Sequence, residues 1–131
     1  MNSSQLLAAL PQAGVEVRDA LDRFMGNEPL YLSFLRRLPG AMDLSGIRQA
    51  LHGGQEEEFY AKVHDLKGMA GNLSARSIAR PAQLLLEEYR AHGLSRPGRL
   101  EMLLDELDAA AAPLAALLKQ YEASSAEGGR L

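Results

Sequence analysis

The 131-residue chain contains no cysteine and no tryptophan. Without cysteine there is no disulfide framework, no thiolate metal site and no thiol nucleophile. The same absence fits a cytoplasmic protein. No apolar run approaches the roughly 20 residues that a membrane-spanning helix needs. Met1 to Leu10 carries no basic residues ahead of its leucines, so this stretch does not read as a secretion signal. The charge has no basic excess either: a formal net charge of −3 gives no global attraction to nucleic acid or anionic lipid. There is no P-loop, no GxGxxG and no Gly-rich kinase loop, so nothing in the sequence would bind ATP. No His-x-x-x-His or Glu-x-x-His pair stands at ligand spacing, and no intrinsic metal site or cofactor is expected.

What is present is a globular composition, 47 % hydrophobic, rich in Leu and Ala, with glycine and proline falling at intervals. Ser3 to Leu10 reads as a short helix capped by Ser3 or Ser4, and Val15 to Phe24 as a second, ended near Gly26-Asn27. Asn27 caps the next helix, with Glu28 and Pro29 in its first turn. Leu30, Phe34, Leu38 and Met42 recur at helical spacing and predict a buried face on one long helix, kinked at Pro39-Gly40 and reaching about Leu51. Two shorter helices are the alternative.

His52-Gly53-Gly54 is a clear stop. Beyond it Phe59, Val63, Leu66, Ala70 and Leu73 step by four, three, four and three, which predicts a helix over Gln55 to Leu73 with one narrow apolar seam. Its first turn is acidic through Glu56, Glu57 and Glu58, as the helix dipole favours. A break over Ser74 to Ser77 precedes a helix from Ile78 to about Ala91, with Ser77 as its cap and Pro81 in its first turn. His92-Gly93 ends that helix. Ser95 caps a last one, which runs past a kink at Pro113 to about Tyr121. The expected architecture is all-α: an antiparallel four-helix bundle with one or two short N-terminal helices, over residues 1–123, followed by a frayed tail over 124–131.

The chemistry is concentrated in one segment, Val63-His64-Asp65-Leu66-Lys67-Gly68-Met69-Ala70-Gly71-Asn72-Leu73. On a helix His64, Lys67, Gly68 and Gly71 share a face about 100° around from the apolar seam. The seam points into the bundle and the His64 stripe borders solvent. A neutral imidazole is a competent nucleophile near neutral pH, since its unperturbed pKa is about 6.5. Lys67, one turn along, offsets the charge that a phosphoryl group brings. Two glycines inside a helix each cost about 1 kcal/mol relative to alanine. Clearance for a partner approaching His64 is one reason to carry them; close packing of a neighbouring helix is another. His52 and His92 read instead as helix ends, favoured by the dipole. Arg76, Arg80, Arg90, Arg96 and Arg99 make a modestly basic stretch, most simply a solvated face.

On these residues the sequence resembles the histidine-containing phosphotransfer (HPt) domains of bacterial two-component phosphorelays. Their motif H-x-L-K-G, followed by a small residue and N-[LI]-G-A, is met here by His64-Asp65-Leu66-Lys67-Gly68 and Gly71-Asn72-Leu73-Ser74-Ala75. Further likeness runs through Gly14-Val15, Ala20-Leu21, Phe24, Gly26-Asn27, Tyr31, Phe34, Leu38-Pro39 and Ala50-Leu51, strong to Ala91 and carried by pattern alone in the last helix. Two departures stand out: Ser74 where the family has glycine, and Pro81 where it runs a continuous helix.

The resemblance implies a phosphocarrier and not a self-contained enzyme. A receiver domain bearing phospho-aspartate, on a response regulator or a hybrid sensor kinase, passes its phosphoryl group to His64, which hands it to another receiver. The receiver supplies Mg²⁺. Lys67 helps to stabilise the phosphoryl group and Gly68 keeps access open, while Val63, Met69, Gly71 and Asn72 are candidates for docking. The implied protein is a cytoplasmic monomer with no nucleic-acid or membrane contact of its own. A helical adaptor without phosphotransfer is the rival reading, and a dimerising kinase bundle a third.

Overall fold

The seam of Phe59, Val63, Leu66, Ala70 and Leu73 is buried along its whole length, each residue at most 3 % exposed. It runs down one side of a 17-residue helix, α6 (Glu56–Asn72), in a computed structural model that describes residues 1–128. The order of elements is α1 (Ser3–Ala9), a 3-10 turn (Leu10–Ala13), α2 (Val17–Arg23), α3 (Glu28–Leu35), α4 (Leu38–Ala41), α5 (Leu44–His52), α6, α7 (Arg76–His92) and α8 (Pro97–Gly128). The protein is all-α.

Short links join α5, α6, α7 and α8, and each packs on the next, with α8 returning to α5. Ile78, Leu85 and Leu86 of α7 and Leu100, Leu104, Leu107, Leu114 and Leu118 of α8 fill the interior opposite the α6 seam. Full burial of one such side chain contributes about 1.5–3 kcal/mol relative to exposure. Ion pairs fix the sense of packing. Arg36 meets Glu122, Arg48 meets Glu101 and Asp105, and His52 meets Glu101, so the α3–α5 stretch runs antiparallel to α8. On the same helix the Met1 amino group donates to Ser124 Oγ, and Ser3 Oγ bonds the Tyr121 hydroxyl.

The stretch expected as one long helix from Glu28 to about Leu51 is three. Pro39 has no N–H to donate to the Leu35 carbonyl four residues back and its ring crowds that carbonyl, so α3 stops at Leu35 and Pro39 falls in the first turn of α4. The Asp43 carboxylate accepts from Gly46 N–H at 3.0 Å, and this cap opens α5. The buried face also differs from the expected row. Tyr31, Leu32, Leu35 and Leu38 are buried, whereas Leu30 and Phe34 are 44 % and 42 % exposed. Tyr31 selects this phase: its hydroxyl donates to the buried Leu73 carbonyl at 2.9 Å, tying α3 to the end of α6.

Several helix starts use partners other than those expected. Asn2, and neither Ser3 nor Ser4, caps α1, in a reciprocal pair with Gln5. Helix α7 begins at Arg76, two residues before the expected start, so Pro81 lies inside it. Ser77 does not cap it. Ser77 N–H donates to the Gly14 carbonyl at 3.1 Å and its hydroxyl to the Ala13 carbonyl at 2.9 Å, so the N-terminal loop satisfies that helix end. Gly14, at φ +85°, is required there because a Cβ would overlap Ser77. Ser95 closes α7 by donating to the His92 carbonyl at 2.6 Å, and the Arg96 carbonyl accepts the first bond of α8. Helix α8 continues beyond Tyr121 through Gly128. The rest of the expected tail, 129–131, lies outside the described residues.

Candidate functional site

Helix α6 carries the site. Gly54, at φ +66°, turns the chain out of α5, and the three glutamates that follow occupy the dipole-favoured first turn. With the seam committed to the core, the residue after Val63 must face outward, and the His64 side chain is 55 % exposed. Lys67 is half-buried, with no carboxylate partner among the described residues. The neighbouring Lys62 is occupied: its ammonium meets Asp43 at 2.9 Å, which raises the Lys62 pKa and holds the Asp43 carboxyl below its ordinary range.

Gly68 and Gly71 stand in open space. Among the described residues, apart from the chain neighbours and the backbone of the same helix, nothing lies within 4 Å of where a Cβ would be built at either position. Close packing of a neighbouring helix therefore does not explain them. Side chains on a helix lean toward its N-terminus, over the preceding turn. A side chain at position 68 would lean over His64, so its absence opens the C-terminal side of the imidazole.

A groove of about 700 Å³ lies on that open side. His64, Asp65, Gly68, Met69, Asn72 and Leu73 form its α6 wall, and Phe24, Phe34 and Arg37 face them. The Arg37 guanidinium sits 5.2 Å from the centre of the Phe34 ring, a cation–π contact. On the other side the Tyr60 ring stacks on His64, with centroids 5.6 Å apart and planes at 29°.

Of the residues singled out in the sequence, His64, Gly68, Met69 and Asn72 come together at the groove, with Lys67 one helical turn along from His64. Gly71 lies on the same helix but is not part of the groove wall. Val63 is a correction. It is fully buried in the seam and presents no surface for docking. Sequence reasoning missed Tyr60 and Arg37 as neighbours of the site, and it placed Phe34 in the core. The four-residue spacing of Tyr60 and His64 carried the first of these, since i and i+4 side chains meet on a helix. The groove's far wall carried no such local signal.

The other two histidines are differently placed. His52 pairs with Glu101, and His92 stands 4.0 Å from Glu88, each at a helix C-terminus. Among the described residues the one carboxylate near the His64 ring is that of Asp65, with 3.9 Å between Nδ1 and Oδ1, too long for a hydrogen bond.

The turn after α6 explains the serine that departs from the family motif. Ser74 has φ +55°, a left-handed conformation that costs a non-glycine residue about 1–2 kcal/mol. It keeps the backbone that glycine would adopt freely. Its hydroxyl donates to Asp19 at 2.6 Å, and its carbonyl accepts from Glu16 N–H at 2.9 Å. The Ser74 hydrogen bond, then that from Arg23, holds the Asp19 carboxyl below its ordinary range.

An exposed histidine on the flank of a helical bundle, cleared on one side and bordered by a groove, defines the class. The family model of the Hpt domain matches residues 34–124, more than half of the chain, and the protein belongs to that family. The match extends through most of α8, which the sequence motif reached only by pattern, and begins past the likeness noted from Gly14 to Tyr31. Searches of curated proteins and of solved structures return no match. Hpt domains are phosphocarriers of phosphorelays, where they interact with receiver domains. Among the described residues no helix is long and apolar enough to cross a membrane.

Proposed function

We propose that His64 is the phosphorylated residue, accepting a phosphoryl group from the phospho-aspartate of one receiver domain and passing it to another. The observation that carries this reading is the pairing of the family match with one histidine that lies in the middle of its helix with a 55 % exposed side chain, beside two helical glycines that no neighbouring element crowds. A lone pair on an imidazole nitrogen attacks phosphorus, the P–O bond to the aspartate breaks, and the carboxylate leaves with the electron pair. The ring proton stays on the other nitrogen. Nδ1 lies toward the Asp65 carboxylate, 3.9 Å away, and Nε2, at the far end of the ring, is the nitrogen that meets the incoming phosphorus.

Lys67 offsets the charge of the incoming group, and Gly68 leaves room for it. Met69 and Asn72, with Phe24, Phe34 and Arg37 opposite, form the surface on which the receiver seats; Gly71 keeps the stripe beyond them low. The Mg²⁺ of the reaction belongs to the receiver, and this chain contributes no cofactor. The working unit is a cytoplasmic, monomeric bacterial domain over residues 1–123, which takes part in phosphotransfer only together with a receiver.

The test uses receiver domains charged from a small acyl phosphate. Wild-type protein should acquire acid-labile, base-stable phosphate. His64→Gln should bind the receivers with unchanged affinity and take no label. Labelling of His64→Gln at the wild-type level would place the acceptor elsewhere. Binding without label in the wild type would favour an adaptor.

A further inference from the structure

We infer that Tyr60 is a positioning residue for phosphotransfer: it fixes the imidazole plane of His64 by stacking on it, and is itself braced from helix α7 by Tyr89. The inference rests on His64 being the phosphorylated residue. The first observation is what His64 lacks. In many histidine sites a hydrogen bond to one ring nitrogen sets the orientation of the other. Here the nearest carboxylate, Asp65, is 3.9 Å away, and no hydrogen bond to the His64 ring exists among the described residues. A ring with a 55 % exposed side chain and no such bond would sample several rotamers unless a face held it.

Tyr60 supplies that face. The two rings stack at 5.6 Å and 29°, with the histidine leaning N-terminally onto the residue one turn earlier. Tyr60 is in turn backed by Tyr89, at 5.6 Å and 36°. Tyr89 packs on Phe59, at 5.8 Å and 41°, and Phe59 is fully buried in the core. The imidazole thus ends an aromatic row anchored in the interior and crossing from α7 to α6.

The arrangement is also directional. One face of His64 is closed by Tyr60, and the opposite side opens over Gly68 toward the groove. A receiver is admitted from the groove side, to a nucleophile whose plane does not depend on the receiver's own contacts. Positioning of this kind acts on the step after docking, so its loss lowers the rate at saturating receiver more than the apparent affinity.

Two readouts test this. In the unphosphorylated protein, the Tyr60 ring current should shift the His64 carbon-bound ring protons upfield in the NMR spectrum. Tyr60→Leu, which keeps apolar volume without an aromatic face, should return them toward free-histidine values, and Tyr60→Phe should not. In transfer from a receiver charged with a small acyl phosphate, Tyr60→Leu should lower kcat about 3- to 10-fold, the range for one aromatic pair, with KM unchanged. Tyr60→Phe should restore the wild-type rate. Tyr89→Leu should move the same resonances by a smaller amount.

The proposal is overturned if Tyr60→Leu keeps wild-type resonances and kcat. It is overturned equally if Tyr60→Phe is as impaired as Tyr60→Leu, or if only KM changes, which would make Tyr60 a docking contact. Unmoved resonances in Tyr89→Leu would remove the brace. If His64→Gln still accepts phosphate, the site itself is wrong and this inference falls with it. If His64→Gln is inert while Tyr60→Leu transfers normally, only the positioning role fails.

Discussion

Replacing Gly68 by alanine should make the protein more stable and a poorer phosphocarrier. A glycine in a helix interior costs about 1 kcal/mol relative to alanine. Apart from the chain neighbours and the backbone of the same helix, nothing among the described residues stands within 4 Å of the added Cβ, so no clash offsets that gain. For a domain of this size about 1 kcal/mol corresponds to roughly 3–5 °C in melting temperature. The same methyl group leans toward the turn that carries His64, on the side the receiver must approach. Gly68→Gln extends this into a side chain that covers the open side of the imidazole while keeping good helix propensity. Displacing reacting groups by about 1 Å can cost on the order of 100-fold in rate. The expected order of transfer is therefore wild type, then Gly68→Ala, then Gly68→Gln, about 100-fold down in the last. Both variants should melt above wild type, with Gly68→Ala the highest because alanine has the better helix propensity. Thermal melts followed by circular dichroism and single-turnover transfer from a charged receiver measure the two orders. A Gly68→Ala protein that melts below wild type would show that the glycine is structural. A Gly68→Gln protein with wild-type transfer would refute the clearance argument.

Two further predictions concern the turn that ends α6. Tyr31→Phe removes the donor to the buried Leu73 carbonyl and should cost about 1–3 kcal/mol in chemical denaturation; an unchanged midpoint would mean that the carbonyl finds another partner. Burial raises the Tyr31 pKa above its ordinary range, so its contribution is complete below the unfolded pKa of about 10 and lost as pH rises through the folded value; Tyr31→Phe should flatten that alkaline decline. Asp19 has the opposite sign. Its lowered pKa contributes stability above the unfolded value of about 3.9, lost as pH falls through the folded one. Ser74→Ala should raise the Asp19 pKa toward the ordinary value by NMR titration and flatten the acid limb below about pH 4. A titration unchanged by Ser74→Ala would show that the Ser74 hydroxyl does not set it.

The sequence alone determined whatever depends on neighbours a few residues apart. The seam of α6, the stops at Gly53-Gly54 and Gly93, the cap at Asn27 and the shared face of His64, Lys67 and Gly68 all follow from helical periodicity and local backbone preference. The outward placement of His64 follows too, because the seam leaves it nowhere else to point. Tertiary structure decided what depends on partners far along the chain. The buried face of α3 was set by Tyr31 reaching the Leu73 carbonyl, and the start of α7 by the Gly14 and Ala13 carbonyls, which take the N–H and the hydroxyl of Ser77, the serine expected to cap it. Val63 lost its place in docking because the same seam that turns His64 outward buries it completely. The far wall of the groove, Phe24, Phe34 and Arg37, has no periodic relation to His64. Pairwise periodicity fixes which residues share a face, but only the tertiary placement of Phe24, Phe34 and Arg37 opposite α6, with Tyr31 tied to the Leu73 carbonyl, fixes what that face meets.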